Sequence, residues 1–193
     1  MRARAFVALL AVVLPLPAFA APADDVKAAM LKLAHAHAYH VTIAGGAGGG
    51  GMEMDFVRPD RIHMTNGAME MIRVGATMWV KVNGSWMQIP MQGGAMGARG
   101  GPAAASASVS QAQALADHPE EIATVTDRGP KLVDGETLHV YDVQQSGSSG
   151  TLTIFVGADG FPHAMETVDK QGKVSHMRFS RFDDPAIAIT PPA

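Results

Sequence analysis

The spacing of apolar residues changes near Tyr39. Upstream, Val26, Met30 and Leu33 recur at i, i+4 and i+7, one stripe of an amphipathic helix. Asp24 and Asp25 stand where acidic residues favour a helix start, and the element is expected to run to about His37. From Tyr39 onward apolar and polar residues instead alternate over short runs, at 39–44, 52–57, 61–65, 69–74, 77–82 and 85–89. Pro59-Asp60, Asn66-Gly67, Gly75 and Asn83-Gly84 lie between the runs, turn formers where consecutive antiparallel hairpins need them. This half therefore reads as a meander. Strand signals return at 123–126, 131–133, 136–144, 151–156, 162–168 and 173–182, punctuated by Asp134-Gly135, a Ser/Gly loop over 146–150, Asp159-Gly160 and Gln171-Gly172.

Residues 91–116 differ in kind, being mostly Gly, Ala, Ser and Gln with a single charge, Arg99. Their first part, 91–107, is expected to be a flexible Gly/Ala-rich loop. Ser108 or Ser110 is placed to cap a short helix through about Ala116, and Pro119-Glu120-Glu121 to start another turn. The strands are only about six residues long, short of the ~9–11 that cross a membrane in an outer-membrane barrel. Eleven or twelve strands with so few helices leave too little to cover a sheet on both faces. The expected fold class is α+β: a large curved antiparallel sheet of about 11 strands, an unclosed β-barrel with a few helices packed in its concave side.

The first twenty residues read as an address. A cationic start at Arg2 and Arg4, an apolar run over 5–16 and the small–x–small Ala18-Phe19-Ala20 make residues 1–20 a signal peptide cleaved after Ala20. That places residues 21–193, as a single domain, in the periplasm. Removing Arg2 and Arg4 takes the net charge from −3 to −5, so the chain has no basic field for nucleic acid. It contains no Cys, which excludes a disulfide scaffold, a thiol nucleophile and a Cys-ligated metal. No Gly-x-Ser-x-Gly elbow, His-Glu-x-x-His or phosphate-binding glycine loop with Lys is present, so neither an enzyme nor a cofactor is expected.

The strand–turn–strand of Met52-Glu53-Met54-Asp55-Phe56-Val57-Arg58-Pro59-Asp60-Arg61-Ile62-His63-Met64 resembles that of LolA-like periplasmic lipoprotein and lipid carriers. So does the next hairpin, Gly75-Ala76-Thr77-Met78-Trp79-Val80-Lys81-Val82 followed by Gly84-Ser85-Trp86. The late turn Asp159-Gly160-Phe161-Pro162-His163, and the last strand Arg178-Phe179-Ser180-Arg181-Phe182 with its exit through Pro191-Pro192, continue the likeness. The resemblance implies an LppX/LolA-like half-barrel with a hydrophobic cavity under its helices, used to carry lipids or lipoproteins between membranes. Relatives in the superfamily also serve as sensory domains of envelope stress.

Nine of the thirteen methionines lie between Met52 and Met96. Unbranched and polarisable, methionine suits a wall that refits ligands of varied chain length, and equally a core beneath helices. The residues expected to line a ligand cavity are Met52, Met54, Phe56, Met64, Met78, Val80, Leu152 and Ile154, with Val26, Met30 and Leu33 covering them from the helix. Trp79 falls on the face opposite Met78 and Val80, where it packs on neighbouring strands or meets headgroups at the mouth. An alternative rests on thioether and imidazole ligands for copper, using His37, His40, Met52 and Met54. The expected function is a monomeric carrier for a lipid or the acyl chains of a lipoprotein. An envelope membrane protein and transient membrane contact are the compatible partners, and an envelope sensor or interaction domain is the other alternative.

Overall fold

A computed structural model describes residues 21–45, 51–67, 69–90, 114–146, 151–168 and 172–192. The expected signal peptide, the 91–107 loop and the Ser108 or Ser110 cap lie outside the described residues.

Helix α1 (Pro22–His35) opens on a proline, whose missing N–H is an orphan in any first turn. Asp24 and Asp25 stand at its positive end and Lys32 and His35 at its negative end. It stops two residues short of His37 because the Ala36 N–H already closes it onto the Lys32 and Leu33 carbonyls. Eleven strands follow: β1 (Ala38–Gly45), β2 (Met52–Val57), β3 (Arg61–Thr65), β4 (Glu70–Val74), β5 (Thr77–Val82), β6 (Ser85–Pro90), β7 (Ile122–Val133), β8 (Glu136–Gln145), β9 (Thr151–Val156), β10 (Pro162–Val168) and β11 (Val174–Ser180). A helical turn at 114–117 and a 3-10 turn, Pro119–Glu121, precede β7.

The strands form one antiparallel sheet in the order β6-β5-β4-β3-β2-β1-β11-β10-β9-β8-β7. Each half is a meander of sequence neighbours, and the halves join where β1 pairs β11, with Val41 opposite Phe179 and Ile43 opposite Met177. The edges β6 and β7 do not pair, so the sheet is an unclosed half-barrel. Val82 opposite Ser85 and Val133 opposite Glu136 leave two-residue loops, Asn83-Gly84 and Asp134-Gly135, with both residues of each at positive φ. That is the turn whose twist matches antiparallel strands.

One segment differs from the sequence expectation. The runs at 123–126 and 131–133 belong to a single strand, β7, because Asp127-Arg128-Gly129-Pro130 makes a bulge instead of a turn. Gly129 takes φ 77° there, and its N–H donates to Asp127 Oδ1 at 2.7 Å.

The inner face of the sheet carries the main core. Val26, Met30 and Leu33 of α1 bury against Tyr39, Val41, Met54, Val143, Ile154, Met165 and Met177. On the outer face Ile187 and Ile189 of the C-terminal segment cover Ala38 and Val57, and Arg61 Nη1 donates to the Ile189 carbonyl at 2.8 Å. A second outer cluster joins Leu138, Val140, Phe155 and Ala164.

Candidate ligand-binding site

Directly opposed residues of antiparallel strands share a face, so the register draws the inner surface. One row crosses from β1 to β6 as Val41, Met54, Met64, Met71, Val80 and Met87. A neighbouring row runs Tyr39, Phe56, Ile62, Arg73, Met78 and Ile89. A third continues the other way, from Met52 and Ile43 through Met177, Met165 and Ile154 to Tyr141. These rows are apolar apart from the Arg73 guanidinium and the tyrosine hydroxyls, and only at the β7–β8 end does the same face turn polar, with Asp127 and His139.

Burial along that face is uneven. Helix α1 packs mainly on β7, β9, β10 and the 3-10 turn, which covers the C-terminal half of the sheet. Toward β6 the cover thins: Met71 and Val80 are half-buried, and Val82, Met87 and Ile89 are exposed by 44%, 54% and 40%. Arg73 Nε is buried yet has no hydrogen-bond partner among the described residues.

Solved structures share this architecture. Lipoprotein LppX of Mycobacterium tuberculosis matches at TM-score 0.59 and 10% identity, over 87% of this chain and 97% of LppX. LprF of Mycobacterium bovis matches at TM-score 0.61 and 13% identity, over 89% and 97% of the two chains. The fold is LppX-like. A LolA superfamily protein from Nitrosomonas europaea aligns more loosely, at TM-score 0.39 and 14% identity over 89% and 99% of the two chains. No family model and no curated protein matches the sequence.

Within this LppX-like sheet the expected lining residues come together. Met52, Met54, Phe56, Met64, Leu152 and Ile154 are buried in one cluster with Val26, Met30 and Leu33. Met78 is buried and Val80 half-buried farther out on β5. Trp79 stands on the outer face, opposite Ile72 and Gln88. Sequence reasoning did not single out Arg73, although its parity with Met71 in a five-residue strand puts a cation on the apolar side.

The residues of the copper alternative separate. His40 lies on the outer face, its Nδ1 2.8 Å from Asp55 Oδ1, whereas Met52 and Met54 point inward. The backbone N–H of His37 donates to Asp183 Oδ1 at 2.5 Å. Among the described residues no group of three or more His, Asp or Glu is placed to hold a metal. The outer face instead carries a polar ladder from His40 and Asp55 through His63 to Glu70 and Lys81, with 3.1 Å from His63 to Glu70 and 2.8 Å from Lys81 to Glu70. Hydrogen bonds from Lys81 and then His63 hold the Glu70 carboxyl below the usual range.

A concavity of ≈ 430 Å³ opens elsewhere, between the flank of α1 and the β8 and β9 ends, bordered by Asp25, Lys32, His139 and Tyr141 but by none of the expected lining residues. Its contacts read as a latch on α1. Tyr141 OH donates to Asp25 Oδ2 at 3.1 Å, and burial together with that bond pushes the Tyr141 pKa up. Lys32 donates to the Asp159 carbonyl, with its Nζ 4.3 Å from the centre of the Phe161 ring.

Proposed function

We propose that this protein is a periplasmic carrier that binds a hydrophobic ligand, a lipid or the acyl chains of a lipoprotein, on the inner face of its half-barrel. The observation that carries this reading is the inner face itself: its apolar rows continue past the buried cluster and end exposed on Val82, Met87 and Ile89. A contiguous exposed apolar surface on a folded domain marks a place for something else to lie. Each methylene buried there contributes about 0.8 kcal/mol, so a chain of a dozen carbons contributes roughly 10 kcal/mol against the cost of association. The expected lining residues form the deep wall of the same surface, and α1 roofs its far half. The side chains offered are thioethers, aliphatics and one guanidinium, a chemistry of binding. The LppX-like fold supports the architecture, the resemblance to LolA-like carriers supports the envelope setting, and the signal-peptide pattern of residues 1–20 supports export.

The test is native mass spectrometry of the protein purified from a periplasm, followed by organic extraction and lipid identification. Co-purified acyl lipid at up to one per chain is expected. An apo mass, together with failure of the purified protein to bind an added apolar fluorophore, would overturn the reading and favour an interaction domain on the same scaffold.

A further inference from the structure

Arg73 occupies a position that its neighbours fill with apolar groups. Strand β4 turns Met71 and Arg73 inward and Glu70, Ile72 and Val74 outward, and Arg73 stands directly between Ile62 of β3 and Met78 of β5. Other cations of this half are engaged: Lys81 by Glu70, Arg61 by the Ile189 carbonyl and Arg58 by the Ala36 carbonyl. Among the described residues Arg73 alone of these keeps a buried nitrogen, Nε, with nothing to donate to. A guanidinium stays charged at every cellular pH, and an unmatched buried donor destabilises the chain that carries it.

We propose that Arg73 anchors the anionic end of an amphiphilic ligand, a carboxylate or a phosphate, whose apolar chain lies along Met64, Met71, Val80 and Met87. This names the ligand class of the carrier function proposed above and rests on it. The outer Nη–H groups of the guanidinium, on a side chain that is only half-buried, present a planar, forked edge that matches two oxygens of either anion. The methionine row lies two residues along the strand, about 7 Å away on the same face, so a headgroup on Arg73 places its first methylenes on Met71. A neutral headgroup would leave the fork unmatched.

Twelve-carbon probes of one chain length test this on the full protein: dodecanoate, dodecyl phosphate and dodecanol, each titrated below its micellar concentration by calorimetry. The wild type is expected to bind at least one of the two anions about tenfold or more tightly than dodecanol. Arg73→Met should abolish that preference, so that neither anion binds more tightly than dodecanol does to the same variant, and should raise the melting temperature by removing an unmatched donor. Arg73→Lys keeps the charge without the fork and should retain part of the preference. The tighter anion identifies the source, a fatty-acid type for dodecanoate and a phospholipid type for dodecyl phosphate. Equal affinity of the wild type for all three probes would overturn the anchor and leave the carrier function standing. Persistence of the anion preference in Arg73→Met would do the same. Failure of every probe to bind would overturn both.

Discussion

Replacing Met87 by Asp places a carboxylate on the exposed end of the methionine row and leaves the buried cluster untouched. Met87 is 54% exposed, and its backbone lies on edge strand β6. Fully covering a methionine side chain is worth ~1.5–3 kcal/mol, so a ligand that covers the open half gains about 0.8–1.6 kcal/mol from it. Covering an unpaired polar group instead costs about 1–3 kcal/mol. The two effects add to about 1.8–4.6 kcal/mol, a loss in affinity of about twentyfold to two-thousandfold. Folding stability should change by no more than about 0.5 kcal/mol, because the site is exposed. The assay is displacement of an apolar naphthylamine fluorophore by dodecanol, whose neutral headgroup keeps charge repulsion out of the comparison, with thermal unfolding run in parallel. Gln88→Asp, one residue along on the outer face, is the control and should bind as the wild type does. Wild-type affinity in Met87→Asp at an unchanged melting temperature would refute the placement of the ligand on this face.

Three further outcomes follow from the packing. Met165→Ala removes a side chain with no exposed surface, opposite Ile154 and Met177, and should cost about 2–5 kcal/mol in denaturant unfolding. Gly157→Ala puts a Cβ 2.7 Å from His163 Nε2 and 2.8 Å from Asp159 Oδ1, so the variant should lose the His163–Asp159 bond; an unshifted His163 titration by NMR would contradict this. His163 sits between Asp159 and Glu136 at 3.0 and 2.9 Å: desolvation opposes its charging, but the two carboxylates outweigh it and raise its pKa. Because the folded pKa is raised, the stabilisation is full below the unfolded value near 6.5 and is lost as pH rises through the folded value. His163→Gln should flatten stability against pH in that window, measured by chemical unfolding at a series of pH values.

Local signals carried most of the fold because antiparallel meanders are written locally. The bounds of β2, β3, β5, β9 and β10 follow from alternation between turn formers, and Asn83-Gly84 and Asp134-Gly135 specify their hairpins by φ alone. Asp127-Arg128-Gly129-Pro130 was illegible for the same reason: a bulge and a turn use the same residues, and only the partner strand β8 distinguishes them. The inner-face residues from Met52 to Ile154 were legible from parity. What parity could not show was how far α1 reaches, which depends on Lys32 meeting Asp159 and Asp25 meeting Tyr141 across more than a hundred residues. The unmatched state of Arg73 is likewise a property of surroundings, invisible until Ile62 and Met78 are placed beside it.

Methionine runs through the whole inner face, and what changes along it is the cover. Under α1, Met165 and Met177 are fully buried beside Val143, Leu152, Ile154 and Phe179. On β3 to β6, Met64 and Met78 are still buried, but Met71 is half-buried and Met87 is 54% exposed. A thioether chain with three rotatable bonds conforms to whatever lies on it, a fixed core at one end and a ligand at the other. The two edges divide in the same way. Edge β7 is guarded by bulges, Pro130 and Lys131, while residues 85–89 of edge β6 carry no charge at all. Cover and edge protection are therefore concentrated in the half that holds the helix, and open apolar surface in the half that ends on Met87. That is the partition expected when one half of a sheet keeps the fold and the other half keeps a surface for ligands of variable shape.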